Sequence, residues 1–281
     1  MTDYDITLVT IDTYAHELTK LALERTLNVL PCRDVLVLSD KNFFPNGRWV
    51  DINPIGIEDY NLMMVKHLWP FIRTEHVLVV QYDGMAVHKQ YWQDRFLDYD
   101  YIGAVWPWPH HPPGFKVGNG GFSLRSRKLL NTLKDKRVIQ HPNLPMYEDL
   151  YVGVHYKDFL VEQGIRIADE ATAAEFSQEH PPGAHATFGF HGTFNVPYYL
   201  TAHDIETFIN LNPGWNSEGS ALLAIHTVLA GYRDLGQLAF NTARKLSTNF
   251  DQRVVSCLRS IPELATKSNI KQVYELINVK S

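Results

Sequence analysis

Short runs of β-branched and aliphatic residues punctuate the first eighty positions of the chain. Ile6 to Ile11, Val35 to Leu38 and Val77 to Val80 are each bounded by polar or turn-forming residues, so they predict buried β-strands. Between them, Leu18, Leu21, Leu23, Leu27 and Leu30 recur at roughly helical spacing up to Pro31, and Tyr60 to Ile72 predicts a second helix. Strands alternating with helices predict an α/β domain with a largely parallel sheet. Further on, Phe122 to Leu124 predicts a short strand and Lys128 to Leu133 a helix. Leu150 to Gln163 predicts another helix, ending at Gly164, and Ile165 to Ala168 a last short strand. The pattern then changes: Ser220 to Leu246 and Val254 to Leu276 are long helical patterns, interrupted by Gly231 and Gly236. This divides the chain into an α/β domain, 1–202, and a helical extension, 203–281, that packs on the domain or mediates self-association.

In a parallel sheet the ligand lies beyond the carboxyl ends of the strands, which singles out Thr10, Asp12, Asp40 and Asp83. Asp83 ends the segment Val77-Leu78-Val79-Val80-Gln81-Tyr82-Asp83-Gly84. A carboxylate delivered there by a strand suits a divalent cation on a diphosphate, or simply a turn. In Val117-Gly118-Asn119-Gly120-Gly121-Phe122-Ser123-Leu124-Arg125, the glycines allow main chain to approach a ligand, or form a tight turn before a strand. Glu148 and Asp149, in Met146-Tyr147-Glu148-Asp149-Leu150-Tyr151-Val152-Gly153, open a helix, where they favour its positive end or supply a general base. His191, in Phe188-Gly189-Phe190-His191-Gly192, is a cation ligand or a loop histidine.

Composition narrows the class of protein. The formal charge of −5 over 281 residues provides no basic field for nucleic acid. Cys32 and Cys257 form neither a C-x-x-C pair nor a disulfide framework, so two reduced thiols are expected. The acidic start Met1-Thr2-Asp3-Tyr4-Asp5 is unlike a signal peptide, and no apolar run approaches the roughly 20 residues that span a bilayer, so a cytoplasmic protein is expected. Trp69, Trp92, Trp106 and Trp108 lie close together in a chain that is 12% aromatic. Trp106 and Trp108, with His110 and His111, lie in the loop before the glycines, where they either line a ligand site or pack the loop.

The order of these pieces resembles glycosyltransferases of the GT-A fold, over roughly residues 5–200. It is similar above all to the β1,3-galactosyltransferase and Fringe group and to bacterial and viral glycosyltransferase-like proteins. The resemblance implies a Rossmann-like, mostly parallel central sheet and transfer of a sugar from a nucleotide-diphosphate donor, a UDP-sugar first, to a hydroxyl of a glycan, lipid-linked or protein acceptor. It implies Mn²⁺ or Mg²⁺ held by Asp83 and His191, and an inverting displacement with Asp149 or Glu148 as base, Asp149 favoured. Thr10, Asp12, Lys66, Asp83, Gly120 and Gly121 are then expected at the donor. The group carries Asp-x-Asp where this chain has Gln81-Tyr82-Asp83, which leaves open an inactive fold that binds glycans or partners. A retaining transferase is the other alternative.

Overall fold

The computed structural model describes residues 3–106, 116–138, 147–215 and 217–277. The chain forms two compact units, Met1–His180 with His185–His191, and Pro181–Ala184 with Gly192–Ser281. The second unit thus takes up the chain from Gly192, eleven residues ahead of position 203.

The first unit is mixed α/β. Its strands are β1 (Tyr4–Ile11), β2 (Cys32–Ser39), β3 (Arg48–Asp51), β4 (His76–Val80), β5 (Gly84–Ala86), β6 (Tyr101–Ile102), β7 (Ala104–Val105), β8 (Val117–Gly118), β9 (Phe122–Ser126), β10 (Ser177–Gln178) and β11 (Gly189–His191). Its helices are α1 (His16–Val29), α2 (Ile57–Leu62), α3 (Arg127–Leu133), α4 (Glu148–Leu150), α5 (Lys157–Glu162) and α6 (Glu170–Phe176). The central sheet has the order β3-β2-β1-β4-β9-β6. Strands β3, β2, β1 and β4 are parallel, as expected for buried apolar runs joined by helices. Strand β9 runs antiparallel to both β4 and β6. A second sheet pairs β10 in parallel with β11, and β11 antiparallel with β5.

One face of the central sheet, with Val9, Leu36, Leu38, Val77 and Val79, packs against Tyr60, Met64, Leu68 and Ile72. Phe96, Phe122, Phe176 and Phe188 form a second buried group, with Phe122 and Phe176 stacked at 5.2 Å between centroids. Truncating one of these rings to Ala costs about 3–5 kcal/mol, the lost transfer energy plus a cavity.

Some predicted helices are shorter than their apolar pattern. The Tyr60 to Ile72 helix is α2 followed by a π-helical turn, Met63–His67, and a 3₁₀ turn, Trp69–Phe71, because Pro70 cannot continue an α-helix. The Leu150 to Gln163 helix is split: α4 passes into a π-helical turn, Tyr151–His155, and α5 starts after Tyr156. The strand predicted over Ile165 to Ala168 is reduced to one bridge, Ile167 to Tyr101.

The second unit holds α7 (Val196–Tyr199), α8 (Ala202–Leu211), α9 (Glu218–Leu229), α10 (Arg233–Leu246), α11 (Phe250–Ser260) and α12 (Lys267–Ile277). A capping box between Thr201 and Asp204 starts α8. Gly231 at φ +94° separates α9 from α10, and Pro262 follows α11. Phe208, Leu223, Ile225, Phe240, Phe250 and Leu258 are buried in this unit. Among the described residues no helix is long and apolar enough to cross a membrane.

Candidate active site

The carboxyl edge of the sheet gathers residues from four elements. After β4 the chain turns tightly, with Gln81 and Gly84 exchanging both backbone hydrogen bonds, and the turn presents Asp83. Because β9 is antiparallel to β4, its first residue, Phe122, pairs with Val80, and this brings Gly120 and Gly121 to the same edge. Because β11 is antiparallel to β5, His191 pairs with Gly84. A Cβ on Gly84 would lie 2.9 Å from both Gly121 O and His191 Cδ2, so the three segments meet at a position that admits no side chain.

His191 is the centre of this cluster. Its Nε2 lies 3.6 Å from Asp83 Oδ1 and 3.4 Å from Gln81 Oε1, while Nδ1 lies 3.2 Å from Glu179 Oε1 and 2.6 Å from Asn119 Nδ2. The His191, Asp83 and Glu179 side chains are 19%, 15% and 15% exposed. Burial works against a charged imidazole, but Asp83, Glu179 and then Asp149 more than offset it and raise His191 to about 9. Burial lifts the Asp83 carboxyl above its usual range, an effect that His191 only partly counters. Burial also acts to lift Glu179, yet the hydrogen bond and charge of His191, with Asn119 and His180, hold it below its usual range.

The two acids that open α4 have different fates. Glu148 Oε2 accepts from Arg125 Nη2 at 2.6 Å, and the side chains are 5% and 0% exposed. Arg125 also donates to Ser123 Oγ and lies over the Tyr101 ring. Glu148 is therefore the buried counter-ion of an arginine. Asp149 keeps one oxygen on the backbone N–H of Leu150 and is lifted to about 7, first by burial and then by the charges of Glu148 and Glu179. A carboxyl that titrates near neutrality is suited to proton transfer.

Beside the cluster, beyond β1, a cleft of about 350 Å³ is lined by Thr10, Asp12, Tyr14, Ile57, Gln81 and Tyr82, among others. Asp12 Oδ1 accepts from the backbone N–H groups of Tyr14 and Ala15, both at 2.9 Å, which fixes the carboxylate at the entrance to α1. Its Oδ2 is buried and has no hydrogen-bond partner, nor has Thr10 Oγ1. Two such orphaned oxygens beside a cleft require a water or a ligand donor.

Residues 50–191, just over half of the chain, match the family described as "Protein of unknown function (DUF5672)". The chain belongs to this family. Its matched region holds Gln81, Asp83, Asn119, Arg125, Glu148, Asp149, Glu179 and His191, whereas Thr10 and Asp12 precede it. No curated protein matches the chain. Among solved structures, the DUF5672 chain is similar to the mannosyltransferase PcManGT from Pyrobaculum calidifontis in complex with GDP-Man and Mn²⁺, at 10% identity and a TM-score of 0.42, covering 99% of this chain and 85% of that one. It is also similar to the bifunctional IspDF from Campylobacter jejuni, at 12% identity and TM-score 0.37, over 86% and 79% of the two chains. A third is TarS 1-349 from S. aureus, at 12% identity and TM-score 0.37, over 96% and 89%.

Other expected donor residues of this DUF5672 chain are placed elsewhere or otherwise engaged. Lys66 is turned away, since its ammonium donates to Leu133 O at 2.6 Å and Asp135 O at 2.9 Å, capping the end of α3. Gly121 N is taken by Asn119 Oδ1, and a Cβ on Gly120 would lie 1.3 Å from Glu148 Oε1. Gly120 thus leaves room for Glu148, while a Cβ on Gly121 would lie 2.3 Å from His191 Nε2 and 2.4 Å from Gln81 Oε1, so Gly121 borders the His191 cluster. Asp40 is paired with His16 at 2.8 Å. Trp106 is buried, with Gly118 tight against its indole, while Trp108, His110 and His111 lie outside the described residues.

The resemblance to GT-A enzymes implies a divalent cation, so its fit is tested by the donor set. Among the described residues no group of three or more His, Cys, Asp or Glu side chains gathers about a point that a metal could take. The set consists of the Asp83 carboxylate and His191 Nε2, with the Gln81 amide oxygen 3.4 Å from that nitrogen. Hard oxygens with one imidazole fit Mn²⁺ or Mg²⁺, which accept waters and phosphate oxygens in their other positions. A cation at Nε2 displaces the proton that the neighbouring carboxylates otherwise hold on the ring.

Proposed function

We propose that the chain is a nucleotide-sugar-dependent glycosyltransferase that acts with inversion. The supporting observation is Asp149, a carboxyl lifted to about 7 whose charge reaches His191, at the sheet edge that also carries Asp83. The cleft bounded by Thr10, Asp12 and Gln81 takes the nucleotide. Asp83 and His191 Nε2 would hold Mn²⁺ or Mg²⁺ at this edge. That ion supplies charge neutralisation for the departing nucleoside diphosphate.

Asp149 deprotonates the acceptor hydroxyl while the oxygen attacks the anomeric carbon from the side opposite the nucleotide. The C–O bond to the diphosphate breaks as the new glycosidic bond forms, and the proton stays on Asp149 until solvent removes it. Glu148, committed to Arg125, keeps the α4 entrance in place and raises the affinity of Asp149 for that proton. The acceptor is a hydroxyl of a glycan, a lipid-linked sugar or a protein.

The test is a thermal-shift panel of UDP-, GDP-, CMP- and dTDP-sugars with Mn²⁺ or EDTA, followed by product analysis with the donor that binds. A ligand at a hundred times its Kd adds about 2.7 kcal/mol of stability. A Mn²⁺-dependent shift with one nucleotide class and a product of inverted anomeric configuration support the reading. A panel without any shift counts against it, and a product of retained configuration removes Asp149 as the base.

A further inference from the structure

Strands β10 and β11 pair in register with Gln178 opposite Phe190, and this brings Glu179 alongside His191. Glu179 Oε1 lies 3.2 Å from Nδ1. Asn119 Nδ2 faces the same nitrogen at 2.6 Å. Asn119 cannot reverse its amide, because Oδ1 accepts from Gly121 N at 3.0 Å and Phe122 N at 3.4 Å. Its backbone sits at φ +63°, the one non-glycine residue at positive φ among the described residues. Asn tolerates that region better than other side chains, and such residues concentrate at functional sites.

The imidazole Nδ1 has one in-plane position, which carries either a proton or a lone pair. With a proton it donates to Glu179; with a lone pair it accepts from Asn119. Once the ring carries a single proton, each neighbour therefore selects one tautomer, and Nε2 takes the opposite state. Under Glu179 control, Nε2 keeps its lone pair on the side of Asp83 Oδ1 and Gln81 Oε1. Under Asn119 control, an N–H points at those oxygens. The bond to the carboxylate is charge-assisted, about twice as strong as the neutral one, so Glu179 prevails.

We propose that Glu179 is the positioning residue that presents Nε2 of His191 as a ligand for a divalent cation, with Asn119 orienting the carboxylate and supporting the opposite tautomer. The proposal rests on the reading of Asp83 and His191 as the cation site. Glu179 is placed as carboxylates commonly are behind a metal-binding histidine, where they fix the tautomer and raise ligand basicity.

The experiment measures Mn²⁺ affinity of the full chain by calorimetry, without nucleotide, for the wild type, Glu179→Gln and Glu179→Ala. Ring-nitrogen NMR shifts of His191 in the metal-free wild type and Glu179→Gln, at a pH above the imidazolium titration at about 9, give the tautomer directly. The expected result is about 10–100-fold weaker Mn²⁺ binding in both variants, with Nδ1 protonated in the wild type and that preference lost in Glu179→Gln. Unchanged Mn²⁺ affinity in the variants overturns the proposal and leaves the cation site standing. No Mn²⁺ binding by the wild type overturns the cation site and the proposal together. Should the variants fail to fold, a metal-free wild-type His191 with its single proton on Nε2 is enough to overturn it.

Discussion

Arg125 Nη2 and Glu148 Oε2 lie 2.6 Å apart in a part of the first unit where neither side chain is more than 5% exposed. The pair ties one acid of the Glu148-Asp149 doublet to a buried arginine, whereas the other accepts from the backbone N–H of Leu150. Removing one partner strands the other charge, so Glu148→Ala is expected to cost about 3–5 kcal/mol in urea unfolding. Replacing both partners by apolar residues, Arg125→Met with Glu148→Leu, should recover most of that loss.

Asp149→Asn is expected to abolish sugar transfer and leave nucleotide affinity nearly intact, because the base acts in the transition state and not in donor binding. Calorimetry with the nucleotide and a product assay separate the two effects. In the wild type, kcat/KM should rise with pH up to about 7 and level off above it, as Asp149 loses its proton.

The same carboxyl makes stability depend on pH. Asp149 titrates near 7 when folded but near 3.9 when unfolded, so between these values the folded chain holds a proton that the unfolded chain has lost. Its contribution is fully present below about pH 4 and is lost as pH rises through about 7. Asp149→Asn should flatten that slope, as read from urea midpoints across the range.

Lys66→Ala is expected to leave nucleotide affinity unchanged and to lower stability by about 1 kcal/mol, since its ammonium serves the carbonyls of Leu133 and Asp135. Asp12→Ala should behave in the opposite sense. It removes a carboxylate from the cleft wall and so weakens nucleotide binding, with about 1 kcal/mol lost at the α1 entrance. The two variants, compared in one binding series, test the location of the donor.

The legible part of this chain was what hydrophobic pattern controls. Strands β1, β2 and β4 follow from their apolar runs, and Asp83 from its position just past one of them. The pairing partners were not legible. Glu179 lies in the polar run Ser177-Gln178-Glu179-His180, with no periodicity to mark it, and reaches His191 through a two-residue strand pairing. Glu148 and Asp149 look alike in sequence, and what separates them is Arg125, twenty-three residues earlier. A charged residue between Leu124 and Ser126 in an otherwise buried strand was the available signal. The direction of the Lys66 side chain was not legible either, because a helix position says nothing about which way a long side chain extends.

The antiparallel insertion of β9 and β11 has a consequence in time. Gln81 meets His191 across 110 residues of chain, and closing so long a segment costs entropy before the contact repays it. During synthesis β1, β2 and β4 emerge and can pair well before His191 leaves the ribosome. A nascent chain can therefore be substantially ordered while the cluster around His191 is still unassembled, the two being separate events.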